Sequence, residues 1–341
     1  MIEAMAKLVK GQHLSEAEAG QTMELILHGD ATPSQIAGFL IALRIKGETA
    51  EEIAGLARTL RANATPLEID GAGLLDTCGT GGDALGTFNI STLSAIVAAA
   101  CGARVAKHGN RAASSVCGSA DVLEALGVKI DLAPAGVGRC IDEAGIAFLF
   151  APLYHQGFRY AAVPRRELGV RTVFNILGPL CNPAGARRQA LGVADAALAG
   201  RMAEALTRLG VDHALVFHGA DGMDELTTTG PSRVIEVEDG GQHEYILEPP
   251  DLGLPIAPLE TMRGGGPAEN AAIARELLGG AKGPKRDVVL LNSAAALRAA
   301  GLAGDFKEGI GLAAEALDSG RAGEVLERWA KASQAVPASG G

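Results

Sequence analysis

Aromatic side chains are scarce: they make up 4% of the 341 residues, with a single Trp. A core short of aromatics must be packed from Ala, Leu, Val and Ile. Cysteine is scarce as well. The five present are Cys78, Cys101, Cys117, Cys140 and Cys181. Their number is odd, no CxxC occurs and no His cluster stands near them, which argues against a disulfide framework or a structural zinc. A reducing cytoplasm is the expected compartment. Positive charge is in deficit, 30 Lys and Arg against 40 Asp and Glu, for a formal net charge of −10. Binding to nucleic acid or to an anionic membrane calls for a basic face, so neither is an expected partner. The start, MIEAMAKLVKG, lacks the apolar core of a signal peptide. No run approaches the roughly 18 apolar residues of a membrane span.

What remains is the composition of a soluble globular protein, 48% apolar and 21% charged. The length suits one large domain plus a smaller one. Glycine is abundant, 46 residues without a fixed period, which fits neither collagen nor a simple linker. Residues 1 to about 65 read as helical. Ser15 with Glu18 and Thr49 with Glu52 form capping boxes, and Thr32 followed by Pro33 and Gln35 places Pro at a first helical position. Gly29 and Gly47 read as helix stops. From about residue 70, short apolar runs alternate with helices. Strands are expected at 74–75, 103–106, 146–150, 214–217 and 288–291, and helices at 91–100, 120–126 and 201–209. Residues 233–247 predict an antiparallel hairpin turning at Gly240-Gly241. The segment 164–183, rich in Arg, Gly and Pro, reads as a crossing or loop region. The expected class is α/β: a small helical domain (1–68, completed by part of 164–185), a larger α/β domain with a mainly parallel central sheet (69–335) and a flexible tail (336–341).

Five short stretches carry chemistry. In DTCGTGGD (76–83), Gly79, Gly81 and Gly82 permit positive φ and close backbone approach, so successive N–H groups can form an anion nest. The run Asn89-Ile90-Ser91-Thr92 starts a helix whose N-terminus favours an anion. A tight strand-to-helix turn without a ligand would use the same residues. In KHGNRAASSVCGSAD (107–121), Lys107 directly follows an apolar strand and is expected to point into the crevice at the end of the sheet. Asn110, Ser114, Ser115 and Ser119 add donors, while His108 reads as either structural or catalytic. Asp224-Glu225 in a glycine-rich loop suits Mg²⁺ on a polyphosphate, or else a helix cap or a solvated face. Arg165-Arg166 suits a carboxylate or phosphate, or a solvated surface.

Together these stretches resemble the anthranilate phosphoribosyltransferases, through GTGGD (79–83), NIST (89–92), KHGNR with GSADVLEALG, RELGVRTVFNILGPLCNP (166–183) and DGMDEL. The resemblance spans nearly the whole chain. It implies the nucleoside phosphorylase/phosphoribosyltransferase type of fold, a homodimer through the helical domain and transfer from phosphoribosyl pyrophosphate (PRPP) to anthranilate with Mg²⁺. By resemblance, the PRPP site comprises Gly79, Gly82, Asp83, Thr87, Asn89, Ile90, Ser91, Thr92, Lys107, His108, Gly109, Asn110, Arg111, Ala112, Ala113, Ser114, Ser115 and Ser119. Anthranilate would meet Gly79, His108, Asn110, Arg165 and Pro179, and Ser91, Asp224 and Glu225 would hold the metal. Lys107 and Arg165 are the expected catalytic groups. Three departures from the family pattern occur: Asp76-Thr77-Cys78 before GTGGD, Val116 where many members carry Lys, and Gln156 after His155. A pyrimidine nucleoside phosphorylase or a nucleic-acid-binding relative of the fold is the competing reading. No glutamine amidotransferase domain is expected within these 341 residues, and whether such a partner exists is not implied by the sequence.

Overall fold

A computed structural model describes residues 1–112 and 116–335. Ala113, Ser114, Ser115 and the tail 336–341 lie outside the described residues.

Four helices open the chain: α1 (Ile2–Leu8), α2 (Glu16–Leu27), α3 (Pro33–Lys46) and α4 (Ala50–Ala62). The capping boxes form at Ser15, Thr32 and Thr49, and Pro33 stands at the start of α3. Gly29 and Gly47 take φ of 80° and 86° just past α2 and α3, a conformation that ends a helix and suits glycine.

A seven-stranded sheet follows, in the order β3-β2-β1-β4-β5-β6-β7. Its strands are β1 (Leu74–Gly79), β2 (Arg104–Gly109), β3 (Ile146–Phe150), β4 (Arg188–Gly192), β5 (His213–Gly219), β6 (Ser232–Glu238) and β7 (Gly241–Leu247). The first five pair in parallel, and β6 and β7 add an antiparallel edge. Helices α5 (Ile90–Ala100) and α6 (Ser119–Ala125) follow β1 and β2. The hairpin turns at Asp239-Gly240, with φ of 51° and 76°, one residue earlier than expected. Two successive positive φ values match the twist of a tight hairpin.

Two other expectations are corrected. Residues 288–291 are not a strand but the middle of the helix Pro284–Ala299. That helix is buried along nearly its whole length, so its apolar run shows no amphipathic period and resembles a buried strand. The segment 164–183 is not all loop. It holds the end of the helix Arg159–Leu168, a short helix Phe174–Leu177 and a 3₁₀ turn Gly178–Leu180. Pro164 lies inside the first of these, where it removes an N–H and hides the helical pattern.

Strand alternation divides the interior into two cores. On β5, Leu215 and Phe217 join the larger core, which also holds α5 and the helix Pro284–Ala299. Ala214 and Val216 face the other way and join the core of the helical domain. Ala161, Phe174, Leu177 and Leu180 belong to that second core, so the crossing segment packs with the N-terminal helices. All five cysteines are free. Among the described residues, no helix is long and apolar enough to cross a membrane.

Candidate active site

From β1 the chain builds outward through β2 and β3, then returns to lay β4 and β5 on the opposite side of β1. Strand order therefore reverses between β1 and β4, and in such sheets a crevice opens there at the strands' C-terminal ends. Three glycines finish the strands at this rim: Gly79, Gly109 and Gly192. Gly79 and Gly192 are register partners. A Cβ on Gly79 would strike the Asp224 carboxylate, and one on Gly192 would strike the Asp224 backbone. The bare strand ends thus admit the loop that carries Asp224 and Glu225.

Both carboxylates are held by the first glycine loop and its helix. Gly81 N–H donates to Asp224 Oδ2 at 2.7 Å. Ser91 N–H, in the first turn of α5, donates to Glu225 Oε1 at 3.0 Å. One of the free helix N–H groups expected for a ligand is therefore taken by Glu225, which gains from the helix's positive end. Burial, then the charge of Asp83, pushes Asp224 up to about 6. Burial, then Asp224, pushes Glu225 well above the usual carboxylate range. Crowded carboxylates with an all-oxygen donor set are what a hard divalent cation such as Mg²⁺ relieves. Asp83 itself is half-exposed and accepts from Leu85 N–H at 3.3 Å.

Lys107 departs from the sequence expectation. It lies two residues inside β2, not at the rim, and is only 2% exposed. Its ammonium donates to Thr77 O and, at 3.3 Å, to Ser91 Oγ. It therefore sits beneath the first loop and ties the end of β1 to the start of α5. Burial lowers its pKa, opposed by the nearby Asp76. Asp76 is fully buried, is pushed up to about 6 chiefly by desolvation, and accepts from His108 N–H at 3.1 Å.

Other expected PRPP contacts divide by environment. Ile90 and Thr92 are buried, at 1% and 2% exposure, so only their backbone is available to the crevice. The Asn89 amide donates to Cys117 O at 3.1 Å and accepts from Asn270 Nδ2 at 2.9 Å, clasping the two glycine-rich loops. Thr87 is bridged through its backbone to Arg263. Arg111 is committed elsewhere, with its guanidinium on Asp121 and Glu124. Ala112 N–H donates to Asp121 at 3.0 Å, and Ser119 Oγ to Asn110 O at 3.3 Å.

Next to this loop lies a cavity of about 440 Å³. Its lining includes Gly79, His108, Gly109, Asn110, Arg165 and Pro179, so every residue expected to meet the acceptor converges there. Cys78, Pro152, Phe158 and Phe174 make the walls largely apolar. Arg165 stands in the last turn of its helix, half-buried, with Cζ 5.4 Å from the Phe174 ring centre. Among the described residues it forms no ion pair, so its charge is available to a ligand. Arg166, its neighbour in sequence, is exposed and does not line the cavity. His108 Nδ1 lies 3.1 Å from Gly178 O. Burial, then His155, lowers His108 to about 3, so it stays neutral at physiological pH and is a poor base. Sequence reasoning missed the aromatic walls, His155, and Arg171, whose guanidinium lies on the first loop. Arg171 falls within the quoted RELGVRT, but the neighbouring Arg165-Arg166 doublet is the more conspicuous signal there.

Comparison with known proteins agrees with this architecture. Residues 2–64 match the family model "Glycosyl transferase family, helical bundle domain", and 71–323 match "Glycosyl transferase family, a/b domain". Anthranilate phosphoribosyltransferase 2 of Streptomyces coelicolor is 57% identical over 94% of this chain and 96% of its own. A crystal structure of the Thermus thermophilus anthranilate phosphoribosyltransferase superposes with a TM-score of 0.93 at 50% identity, covering 97% of this chain and 99% of that one. The Saccharomyces cerevisiae enzyme, solved in complex with PRPP and Mg, gives a TM-score of 0.89 at 29% identity over 98% of both chains. With both its domains matched and such identity along nearly its full length, the chain belongs to the anthranilate phosphoribosyltransferase family.

Proposed function

We propose that the chain transfers the 5-phosphoribosyl group of PRPP to the amine of anthranilate in tryptophan biosynthesis, giving N-(5-phosphoribosyl)anthranilate and pyrophosphate. The observation that carries this reading is the adjacency of two unlike sites. A largely apolar cavity with an unpaired Arg165 meets, at Gly79, a loop backed by Asp224 and Glu225. The first suits a planar aromatic carboxylate, and the second suits a metal-bound diphosphate.

In this reading Asp224, Glu225 and Ser91 hold Mg²⁺, which would supply charge neutralisation on the diphosphate. Gly79, Gly82, Asp83, Thr87, the 89–92 helix start and the second loop surround the donor. Lys107 acts from below, keeping positive charge behind the helix start through Thr77 and Ser91. Arg165 pairs with the anthranilate carboxylate, and Asn110, His108 and Pro179 shape the cavity around the ring. The amine lone pair then forms the bond to ribose C1 as the C1–O bond to pyrophosphate breaks, with inversion. The electron pair leaves with the pyrophosphate, and the amine proton departs afterwards. An arylamine is neutral at pH 7, so orientation contributes more than a base. Closure of the two domains would exclude the water that competes for C1. A cytoplasmic homodimer joined through the helical domain completes the reading.

The test is steady-state kinetics that follow loss of anthranilate fluorescence on adding PRPP and Mg²⁺. Arg165→Ala should raise the anthranilate KM by at least about tenfold, on the scale of one lost charge-assisted contact, while the PRPP KM barely moves. Equal rises for both substrates would remove Arg165 from the acceptor site.

A further inference from the structure

Loop 80–82 is pinned from three directions. Thr80 N–H donates to Gly192 O at 3.0 Å, on the β4 side. Gly81 N–H donates to Asp224 Oδ2 at 2.7 Å, on the side of the carboxylate loop. The third pin comes from the crossing segment: Arg171 Nη2 donates to Gly81 O at 2.8 Å and to Thr80 O at 3.2 Å. The guanidinium lies directly against Gly82, so close that a Cβ there would collide with it. Among the described residues, Arg171 forms no ion pair and alone supplies hydrogen bonds between the crossing segment and loop 80–82.

The two sides of one peptide unit are therefore used in opposite directions. In the peptide linking Thr80 to Gly81, the Thr80 carbonyl accepts from Arg171 and the Gly81 N–H donates to Asp224. A guanidinium nitrogen placed on two neighbouring carbonyls restrains both peptide planes, since its N–H groups are fixed in the guanidinium plane. Once those carbonyls are held on the Arg171 side, the following N–H groups are fixed on the other. Arg171 also belongs to the segment that carries Arg165 and Phe174, so the clamp joins the wall of the acceptor cavity to the anion loop.

We propose that Arg171 is a positioning residue for the pyrophosphate end of the donor. It clamps loop 80–82 so that the Gly82 N–H and Asp224 are set for a metal-bound diphosphate before it arrives. This rests on the transferase reading above for the identity of the donor.

The test uses the full chain and magnesium pyrophosphate as the probe, titrated by calorimetry. Arg171→Ala should weaken its binding about tenfold, on the scale of a charged hydrogen-bond donor lost. Arg171→Lys, which keeps the charge but not the fixed planar donors, should fall between Ala and wild type. In turnover, the KM for PRPP should rise by a similar factor, with the anthranilate KM within about twofold. Melting curves confirm that the variant is folded, and Arg171→Gln replaces Ala if it is not. Unchanged pyrophosphate affinity, or an equal rise in both KM values, overturns the clamp. If wild type fails to consume anthranilate while Arg171→Ala still loses pyrophosphate affinity, the transferase reading falls and the clamp stands.

Discussion

In the proposed site, Asp224 would tie metal binding to pH. Its pKa is raised from 3.8 to about 6. The folded protein therefore holds this proton more tightly than the unfolded chain does. The group thus costs stability increasingly as pH rises from about 4 to about 6, and no more above that. A metal requires the ionised form, which the folded protein populates as pH climbs past about 6, so metal affinity should rise there and level off above. The thermal shift on adding magnesium pyrophosphate should therefore grow between about pH 5 and pH 7, and Asp224→Asn should flatten that dependence. A shift that is pH-independent in wild type would dissociate Asp224 from the metal. At this scale the sequence is informative about residue types and less so about direction. Asp224, Glu225 and Arg165 are legible because a carboxylate pair in a glycine loop, or an Arg doublet, is uncommon enough to notice. The direction of Lys107 is not legible, because the end of its strand is not marked in sequence. Two further residues of β2 carry it from the rim into the interior. Arg171 escapes notice because its partners are backbone carbonyls, which no motif specifies.

Among the elements, α4 does more than its sequence advertises. Its Thr49–Glu52 capping box is readable from sequence, but Glu52 also reaches beyond its own helix. Its carboxylate accepts from Leu14 N–H at 2.9 Å, from Thr49 N–H at 2.8 Å and from Lys46 Nζ at 2.8 Å, with no exposed surface. It therefore ties the loop before α2 and the end of α3 to the start of α4. Glu52→Ala leaves the buried Lys46 ammonium without its counter-ion and two N–H groups without their acceptor, and should destabilise the protein by about 3 kcal/mol in urea unfolding. Glu52→Gln, which keeps an acceptor, should lose about 1 kcal/mol. A loss near zero for Ala would mean water replaces the carboxylate. Element type is legible wherever one face is buried, as in these N-terminal helices. It fails for the helix Pro284–Ala299, where burial on every side removes the period that separates helix from strand.

At the scale of the whole molecule, the helical domain presents apolar groups to solvent: Ile2, Val9 and Ile45 are 70%, 74% and 81% exposed. Leu8, Val9, Ala42 and Ile45 border a shallow depression of about 360 Å³. A second copy would cover this surface in the proposed dimer. Ile45→Glu should then shift light-scattering mass toward the monomer, because a charge at an apolar interface is left unpaired. An unchanged mass would place the dimer contact elsewhere. The order of domains is legible from the change of pattern near residue 70. Part of 164–185 is expected from the sequence to complete the helical domain, but the share that β5 takes in the second core, through Ala214 and Val216, is not legible, since it depends on contacts distant in sequence. Gly79 and Gly192 belong to this scale too, because they join strand ends to a loop that comes from far along the chain. Neither has a positive φ, so nothing in their own backbones requires glycine. They are bare because Asp224 occupies the space. Their constraint is thus inherited from another residue's position. In a descendant that abandoned metal binding and lost that carboxylate loop, both positions would be free to acquire side chains. Substitution at the pair would then mark the lost chemistry even where the rest of the fold survived.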